Sequence, residues 1–342
     1  MVSRNASIRD VAKLAGVSVA TVSRVLSRLP SVDKKNILKV EAAVVALKFR
    51  PNISAQRLVK GSNNTIGLVI PSYPGVFHSF YGIELIRGVG HACEVARQDL
   101  VLHITDGRNA LNIGYLGGAV FADIIENSGQ IRSALASGVP CVVINNVVRD
   151  MAVSYIAVNN YKGGELAARH FVALGHVRIA TITGNLKTQA GFERLDGFMK
   201  ALEDSNISVP EEYVFRGDYS RYSARAGAER FFNLKNRPTA IFAQSDDMAL
   251  EVIAVAHERR LRVPEDISVI GFDDSPQGMS AAVGLTSIRQ PVFEMAERGV
   301  HLLMDLVSGR RKENLHLLLE PELVLRDSCA ARPAMVRPRT RR

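Results

Sequence analysis

Tryptophan is absent from this chain of 342 residues, and cysteine occurs only three times. Cys93, Cys141 and Cys329 are widely spaced and odd in number, which argues against a disulfide framework or a zinc cluster and favours reduced thiols in a cytosol. No apolar run approaches the roughly 18 residues of a membrane span. The opening segment MVSRNASIRD lacks the apolar stretch of a secretory signal. We therefore expect a cytoplasmic protein without a membrane partner.

Sequence signatures of catalysis are also lacking. The chain has no phosphate loop, no G-x-S-x-G elbow and no H-E-x-x-H helix, and its eight histidines show no metal-ligand spacing. Two adjacent acid pairs, Asp246-Asp247 and Asp273-Asp274, could serve hydrolysis. Helix caps and ligand acceptors are the more common roles of such pairs, however, so we expect no enzyme activity and no cofactor.

Acidic residues are scarce at the two ends of the chain. Residues 1–60 hold twelve Lys/Arg and three Asp/Glu, a net charge of +9, and residues 331–342 hold five Arg and no acid. Residues 61–330 carry a net charge of −5. A basic head on an acidic body indicates a polyanion partner for the head, although a solvated basic surface would explain the charge alone equally well. The tail ARPAMVRPRTRR is expected to be disordered.

What the first fifty residues do contain is three short helical patterns. Ser7 and Asp10 form a capping-box pair ahead of the first apolar face, and Gly16 permits the left-handed turn that ends this helix. Ser18 can cap the second helix. Three short helices with one small core and a sharp turn between the first two predict a helix-turn-helix over residues 1–50.

The second of these helices keeps a face that the small core does not use. This face consists of Val19, Ala20, Ser23 and Arg24, with Thr21 beside it. Small side chains let a helix approach base edges, and Arg24 can donate two hydrogen bonds to guanine, worth about 1–3 kcal/mol of discrimination. The alternative is a helical bundle with an exposed arginine. Because charge, turn and small-residue face coincide, we predict that this face, with Ser7 and Ser18, contacts DNA.

From Thr65 to about residue 330, short apolar runs alternate with helical stretches. The runs TIGLVI, LVLHI, GAVFA, CVVIN, TAIFA and ISVIGF predict buried strands, and stretches such as GGELAARHFVALG predict the helices between them. Continuously apolar strands that alternate with helices indicate parallel sheets covered on both faces. About eleven strands are too many for one small sheet, so we predict two lobes with a ligand cleft at the carboxyl ends of the strands.

These segments resemble one family of regulators. SIRDVAKLAGVSVATVSRVLS is similar over about twenty consecutive positions to the headpiece of lactose-repressor (LacI/GalR-type) proteins, and KFRPNISAQRLVKG resembles the family's hinge. YIAVNNYKGGELAARHFVALGHVRIATITG, FAQSDDMALEVIAV and ELVLRDSCA follow in the family's order. The resemblance implies a small all-α headpiece and an α/β two-lobe core like that of periplasmic binding proteins, with parallel sheets flanked by helices.

The resemblance also implies domain boundaries. It gives a headpiece at 1–50, a hinge at 51–61, an effector-binding and dimerisation core at 62–330, and a basic tail at 331–342. Within the core, lobe 1 comprises about 62–160 and 289–319, and lobe 2 comprises about 161–288 and 320–330. Crossovers between the lobes are expected near 158–162, 286–291 and 318–322.

In this family the hinge folds into a short helix on operator binding and wedges a leucine into the minor groove. The matching residue here is Leu58, with Ala55 packing against the partner hinge and Asn52 capping the hinge helix. An apolar side chain between base steps bends the duplex and so brings further contacts. The alternative is a plain linker helix with a buried leucine.

The family's effector residues fall on the predicted cleft. Arg194 and Asp273 match its ligand-binding arginine and aspartate, and Asn145 matches the polar position after the fourth strand of lobe 1. Ser245-Asp246 begins the segment in which the family usually has an asparagine, so the serine weakens one expected contact. A salt bridge between the lobes is the alternative role for Arg194 and Asp273.

Two stretches depart from the family's pattern. Residues 71–87 are longer than the usual loop by about four residues and offer Phe77, Phe80 and Tyr81 as ring-stacking candidates. Residues 108–117 are too few for a full crossover helix between two parallel strands, so we predict that the family's helix is shortened or lost there. That lobe carries the family's dimer face.

The sequence thus predicts a sequence-specific DNA-binding transcriptional regulator, a repressor whose operator affinity is controlled by a small-molecule effector such as a sugar. We expect a homodimer, or a tetramer, on a pseudo-palindromic site in double-stranded DNA at the bacterial nucleoid. The alternative is a two-lobe sugar-binding receptor without a DNA function. Such a receptor would carry a secretory signal in place of residues 1–60.

Overall fold

The computed structural model describes most of the chain. The described residues are 6–26, 32–47, 49, 64–72, 76–77 and 79–332. The predicted hinge residues Asn52, Ala55 and Leu58, and the tail from residue 333 onward, lie outside them. The chain divides into two units, Met1–Asn63 and Asn64–Arg342.

The first unit contains three helices in its described part, α1 (Ile8–Ala15), α2 (Val19–Leu26) and α3 (Lys34–Ala46). The Ser7 side chain accepts from the Asp10 backbone N–H and the Asp10 side chain accepts from that of Ser7, which completes the capping box. Gly16 ends α1 at φ 65°, a left-handed conformation that glycine adopts without strain. Both the predicted cap and the predicted turn are therefore confirmed.

A small apolar core joins the three helices of this unit. Its buried members are Val11, Ala12, Ala15, Val22, Val40 and Ala43, with Ile8, Val25, Leu26 and Val44 packed against them. The spacing of these residues at three and four positions places them on one side of each helix. The unit is therefore the helix-turn-helix that the sequence predicts.

The second unit is built from twelve strands, eight helices and one short 3₁₀ turn in its described part. The strands are β1 (Thr65–Pro71), β2 (Asp99–Thr105), β3 (Gly118–Ala122), β4 (Cys141–Ile144), β5 (Ser154–Val158), β6 (Ile179–Ile182), β7 (Val214–Phe215), β8 (Ala240–Ala243), β9 (Ser268–Asp273), β10 (Thr286–Arg289), β11 (His316–Leu319) and β12 (Glu322–Val324). The helices are α4 (Phe80–Val95), α5 (Ser128–Ala136), α6 (Asn160–Ala173), α7 (Gln189–Asp204), α8 (Arg221–Phe232), α9 (Asp246–Glu258), α10 (Pro276–Met279) and α11 (Val292–Val307). The 3₁₀ turn is Glu211–Tyr213.

The twelve strands form two sheets of six strands each. The first has the order β11-β5-β4-β3-β1-β2 and the second the order β12-β10-β9-β8-β6-β7. All pairs are parallel except β10 with β12. We call the first sheet with α4, α5 and α11 lobe 1, and the second sheet with α6 to α10 lobe 2. The predicted two-lobe α/β architecture is confirmed.

Both faces of each sheet are covered, as the unbroken apolar strands require. In β1, for example, Leu68 packs beneath α4 and α11 while its neighbour Val69 joins the cluster on the opposite face. Three connections cross between the sheets, at Asn159, at Gln290-Pro291 and at Glu320-Pro321. The carboxyl ends of β3, β4, β8 and β9 therefore meet the same cleft between the lobes.

The segment between β2 and β3 contains no helix, as its length predicts. Ile113 and Leu116 are buried instead and pack on the sheet face that a crossover helix would cover. The connection passes across β1, which lies between β2 and β3 in the sheet. Within the described residues, no helix combines the length and apolarity needed to cross a membrane.

Candidate functional site

The second helix of the first unit presents the face on which the sequence predicts DNA contacts. The Ser18 hydroxyl accepts from the Thr21 backbone N–H at 3.1 Å and lies 2.9 Å from the Thr21 hydroxyl, so it caps α2. Val22 is fully buried on the core side. The other predicted residues are exposed or half-buried: Val19, Ala20, Ser23 and Arg24. They share the solvent side of α2 because they recur at one, three and four positions.

A cavity of about 530 Å³ lies between the two lobes of the second unit. Lobe 1 contributes Ser79, Tyr81, Asp123 and Asn145; lobe 2 contributes Thr188, Ala190, Arg194, Tyr219, Ser245 and Asp273; and the crossover contributes Gln290. The volume is within the range of small-molecule sites, and the lining mixes polar groups that converge from several strands.

Arg194 is held rigidly at the lobe 2 side of this cavity. It is 3% exposed, and its guanidinium lies 3.5 Å from the ring centroid of Phe272. Its Nε donates to the Asn160 side chain at 2.8 Å, and its terminal nitrogens donate to the Gln244 carbonyl at 2.8 Å and to the Gln290 side chain at 3.5 Å. Stacking and hydrogen bonds together fix this charge in one place.

Asp273 is the last residue of β9, and its backbone is strained. Its φ of 122° is a conformation that residues with a side chain rarely adopt, and it turns the carboxylate toward the cavity. The Gln290 amide nitrogen donates to this carboxylate. Burial raises the pKa of Asp273 to about 8, with Arg194 opposing the shift and the neighbouring carboxylate of Asp246 adding to it. No salt bridge joins Arg194 to Asp273 in the described part of the chain; Gln290 bonds to both.

Asp123 faces the same cavity from lobe 1. It follows β3 directly, and its carboxylate accepts from the Asn145 side-chain nitrogen at 2.8 Å. Burial raises the pKa of Asp123 to about 6, although the hydrogen bonds from Asn145 and Tyr81 and the charge of Arg194 lower it. The cavity thus contains two buried carboxyls, one from each lobe.

Asn145 has an unused acceptor at the cavity wall. Its side chain is 3% exposed, and while its nitrogen donates to Asp123, its oxygen has no hydrogen-bond partner among the described residues. A buried acceptor without a partner costs about 1–3 kcal/mol. A ligand that donates to this oxygen would recover that free energy.

Five of the eight effector residues predicted from the sequence line the cavity: Tyr81, Asn145, Arg194, Ser245 and Asp273. Phe77, Phe80 and Asp246 do not. The Asp246 carboxylate is engaged inside lobe 2, where it accepts from the Ser275 backbone N–H at 2.6 Å and from the Ser287 hydroxyl. Phe77 is 37% exposed to solvent, and Phe80 is the half-buried first residue of α4.

Six lining residues were not predicted: Ser79, Asp123, Thr188, Ala190, Tyr219 and Gln290. Asp123 had a signal, because it follows the apolar run GAVFA as Asn145 follows CVVI. Tyr219 had none, since its place depends on the loop after the two-residue strand β7. The described residues include no group of three or more His, Cys, Asp or Glu that could hold a metal ion.

A helix-turn-helix unit followed by a two-lobed α/β unit, with a polar cavity at the carboxyl ends of its strands, defines a class of DNA-binding regulators with a core like that of periplasmic binding proteins. Comparison with known proteins places the chain within this class. The family described as "Bacterial regulatory proteins, lacI family" matches residues 7–52, and the "Periplasmic binding protein-like domain" matches residues 168–329.

Two relatives span nearly the whole chain. The HTH-type transcriptional repressor PurR of Photobacterium profundum is 32% identical over 332 residues, which cover 94% of this chain and 98% of that protein. The probable HTH-type transcriptional repressor ExuR of Bacillus subtilis is 32% identical over 326 residues, with the same coverage of each. This chain therefore belongs to the lacI family of bacterial regulatory proteins, and it is a transcriptional regulator of the helix-turn-helix type.

Solved structures agree with this assignment. The Lac repressor dimer bound to operator and the anti-inducer ONPF has a TM-score of 0.78 and 26% identity, with 96% of this chain and 100% of that chain covered. The transcriptional regulator CelR in complex with cellobiose has a TM-score of 0.71 and 29% identity, with 94% and 99% covered.

Proposed function

We propose that this protein is a repressor whose affinity for operator DNA is set by a small molecule bound between its lobes. The observation that carries the proposal is the interlobe cavity, which holds Arg194, two buried carboxyls and an unpaired Asn145 oxygen in the same chain as a helix-turn-helix. Buried groups of this kind are costly unless a ligand uses them.

On the DNA side, α2 enters the major groove and Arg24 reads guanine. Two copies of the chain bind half-sites of a pseudo-palindrome about one helical turn apart. Leu58 and Ala55 of the hinge act at the centre of that site, with Asn52 as the cap of the hinge helix. The relative bound to operator is a dimer, which supports a homodimer here, with a tetramer as the larger assembly.

On the effector side, a sugar or related metabolite stabilises one arrangement of the two lobes and so shifts the population that can hold operator. The compound is bound and released unchanged, without a catalytic step. The domain boundaries of this account are those expected from the sequence, with the hinge at 51–61 between headpiece and core. The protein acts at the nucleoid in the bacterial cytoplasm.

Selection from a pool of random duplexes tests the DNA side. Wild-type full-length protein should enrich a pseudo-palindrome at moderate ionic strength. Arg24→Ala should lose the preference for one base pair in each half-site, by about 5- to 150-fold. The matched control Lys39→Ala removes an exposed charge from α3 and should keep the preferred sequence, with an affinity that is uniformly weaker at most.

A wild-type pool without any enriched sequence, or an Arg24→Ala variant that selects the same sequence as the wild type, would contradict the proposal. In the first case the chain would be a two-lobe receptor without a DNA function. A thermal-shift screen of sugars, polyols, nucleosides and sugar acids tests the effector side. Recovery of an altered compound in that screen would indicate an enzyme.

A further inference from the structure

We propose that the interlobe cavity selects an effector that carries no negative charge and is rich in hydrogen-bond donors, and that Asp123 sets this selection together with Asp273. The inference rests on the proposed function because it concerns the same cavity. It narrows the effector to a neutral or amino-substituted polyhydroxyl ring and excludes sugar acids and sugar phosphates.

The first argument is the balance of charge around the cavity. The lining contains two carboxyls and a single guanidinium, and Asp123, Arg194 and Asp273 are each exposed by 5% or less. The guanidinium already donates three hydrogen bonds within lobe 2 and its connection, and it stacks on Phe272. An anionic ligand would lie between carboxyls from both lobes, away from water, and only Arg194 would compensate it.

The second argument is the hydrogen-bonding capacity of the wall. The Asn145 oxygen is a buried acceptor without a partner among the described residues. The two carboxyls are acceptors as well when ionised, and each accepts from one amide nitrogen, Asp123 from Asn145 and Asp273 from Gln290. The wall is therefore poor in unused donors and rich in acceptors, so the complementary ligand donates.

The third argument is the aromatic part of the wall, which is tyrosine only. Tyr219 has a φ of 70°, and its ring lies so close to Gly184 that a side-chain carbon added there would be 2.0 Å from it. Only glycine at position 184 lets the ring take this position beside the cavity. With Tyr81 it provides flat apolar surface with polar ends, which suits the C–H face of a hydroxylated ring.

The titration of the two carboxyls agrees with this assignment. The raised pKa values of Asp123 and Asp273 indicate that nearby cations do not offset the cost of their burial. Hydroxyl or ammonium donors would lower both pKa values, and a bound anion would raise them further. The cavity is thus prepared for a donor.

Matched pairs of probes test the selection on full-length protein at equal ionic strength. The pairs are glucose with glucuronate, galactose with galacturonate and ribose with ribose 5-phosphate, with glucosamine added, and binding is measured by thermal shift and calorimetry. The neutral or amino member of a pair that binds should bind at least about tenfold more tightly than its acid or phosphate partner. An acid or phosphate that binds as tightly as its neutral partner overturns the proposal.

Asp123→Asn separates selection by charge from a general loss of binding. In this variant the ratio of neutral to anionic affinity should fall by roughly tenfold, because one carboxylate no longer repels the anion. Asp106→Asn, which changes an exposed aspartate of lobe 1, is the matched control and should leave the ratio unchanged. An unchanged ratio in Asp123→Asn overturns the role of Asp123, and Asp273→Asn repeats the measurement from the other lobe.

The same variants can be examined with inorganic phosphate as the probe. Wild-type protein should have equal melting temperatures in phosphate and in chloride of the same ionic strength. Phosphate stabilisation of the wild type that Arg194→Met abolishes would overturn the proposal, and so would a panel in which no probe binds. Operator selection is measured separately, so these outcomes leave the proposed DNA function standing or falling by its own test.

Discussion

The two lobes bring different kinds of surface to the same cavity. Lobe 2 offers an assembled network in which Arg194 stacks on Phe272 and Gln290 bonds to both Arg194 and Asp273. Lobe 1 offers Asp123 and Asn145, which bond mainly to each other and leave one acceptor unpaired. The difference teaches that lobe 2 is organised before a ligand arrives, whereas lobe 1 is completed by it.

The largest effect is expected where the lobe 2 network is broken. Arg194→Met leaves Asp273 without its nearby cation and removes the donor from Asn160 and from the Gln244 carbonyl. We expect a loss of about 3–5 kcal/mol in the free energy of unfolding, since one partner of a buried charged network is removed. Urea unfolding measures this loss.

The control for this change is Arg169→Met, because Arg169 pairs with Glu165 on the exposed surface of α6 with 57% of its side chain accessible. It should cost less than about 1 kcal/mol. Similar losses in the two variants would show that lobe 2 is not organised around Arg194.

A pH-dependent effect of intermediate size is expected at Asp273. Its pKa is about 8 in the folded protein against 3.8 for the free group. Between these values the folded protein binds a proton that the unfolded chain has released, so the stability of the wild type falls as pH rises through this interval. Asp273→Asn cannot titrate and should gain stability relative to the wild type from pH 5 to pH 8, by at most about 1 kcal/mol per pH unit.

Thermal unfolding of both proteins across this pH range gives the difference directly. Because other groups titrate equally in the two proteins, the difference isolates this carboxyl. A difference that does not change with pH would mean that Asp273 is ionised throughout, and that Arg194 compensates it fully.

The smallest effect on stability is expected at the contact that joins the lobes beside the cavity. The Val147 backbone N–H donates to the Gln189 side-chain oxygen at 2.7 Å, and the Gln189 side-chain nitrogen donates back to the Val147 carbonyl at 3.3 Å. Gln189→Ala should cost about 1 kcal/mol or less. It should also favour separated lobes, which small-angle scattering would record as a larger radius of gyration.

Gln98→Ala is the matched control, because the Gln98 side chain donates to the Ala96 carbonyl within lobe 1. It should leave the radius of gyration unchanged. If both variants scatter as the wild type does, the Gln189 contact does not hold the lobes together.

The helix-turn-helix could be predicted almost completely, because local chemistry specifies it. Ser7 caps α1 through a residue three positions away, and Gly16 needs only its own backbone freedom to end that helix. The cavity depends on contacts between distant segments, and prediction was correspondingly partial. Arg194 and Asp273 came from family resemblance, whereas Tyr219 and Gln290 reach the cavity through a loop and a crossover that local pattern does not fix.

The position of Asp246 shows why a strand end is hard to interpret from sequence. The predicted acids after β8 and at the end of β9 have the same local pattern, yet the Asp273 carboxylate lines the cavity and that of Asp246 is bonded inside lobe 2. The strained φ of 122° at Asp273 decides its direction. Periodicity carries no information on such a local departure.

Operator binding with and without a bound neutral sugar from the probe panel tests the central claim most directly. Saturating sugar should change the operator affinity of the wild type by about 5- to 150-fold. Asp123→Asn should require more of that sugar for the same change, because it weakens the lobe 1 contact. An operator affinity that is identical with and without saturating ligand in the cavity would contradict the account.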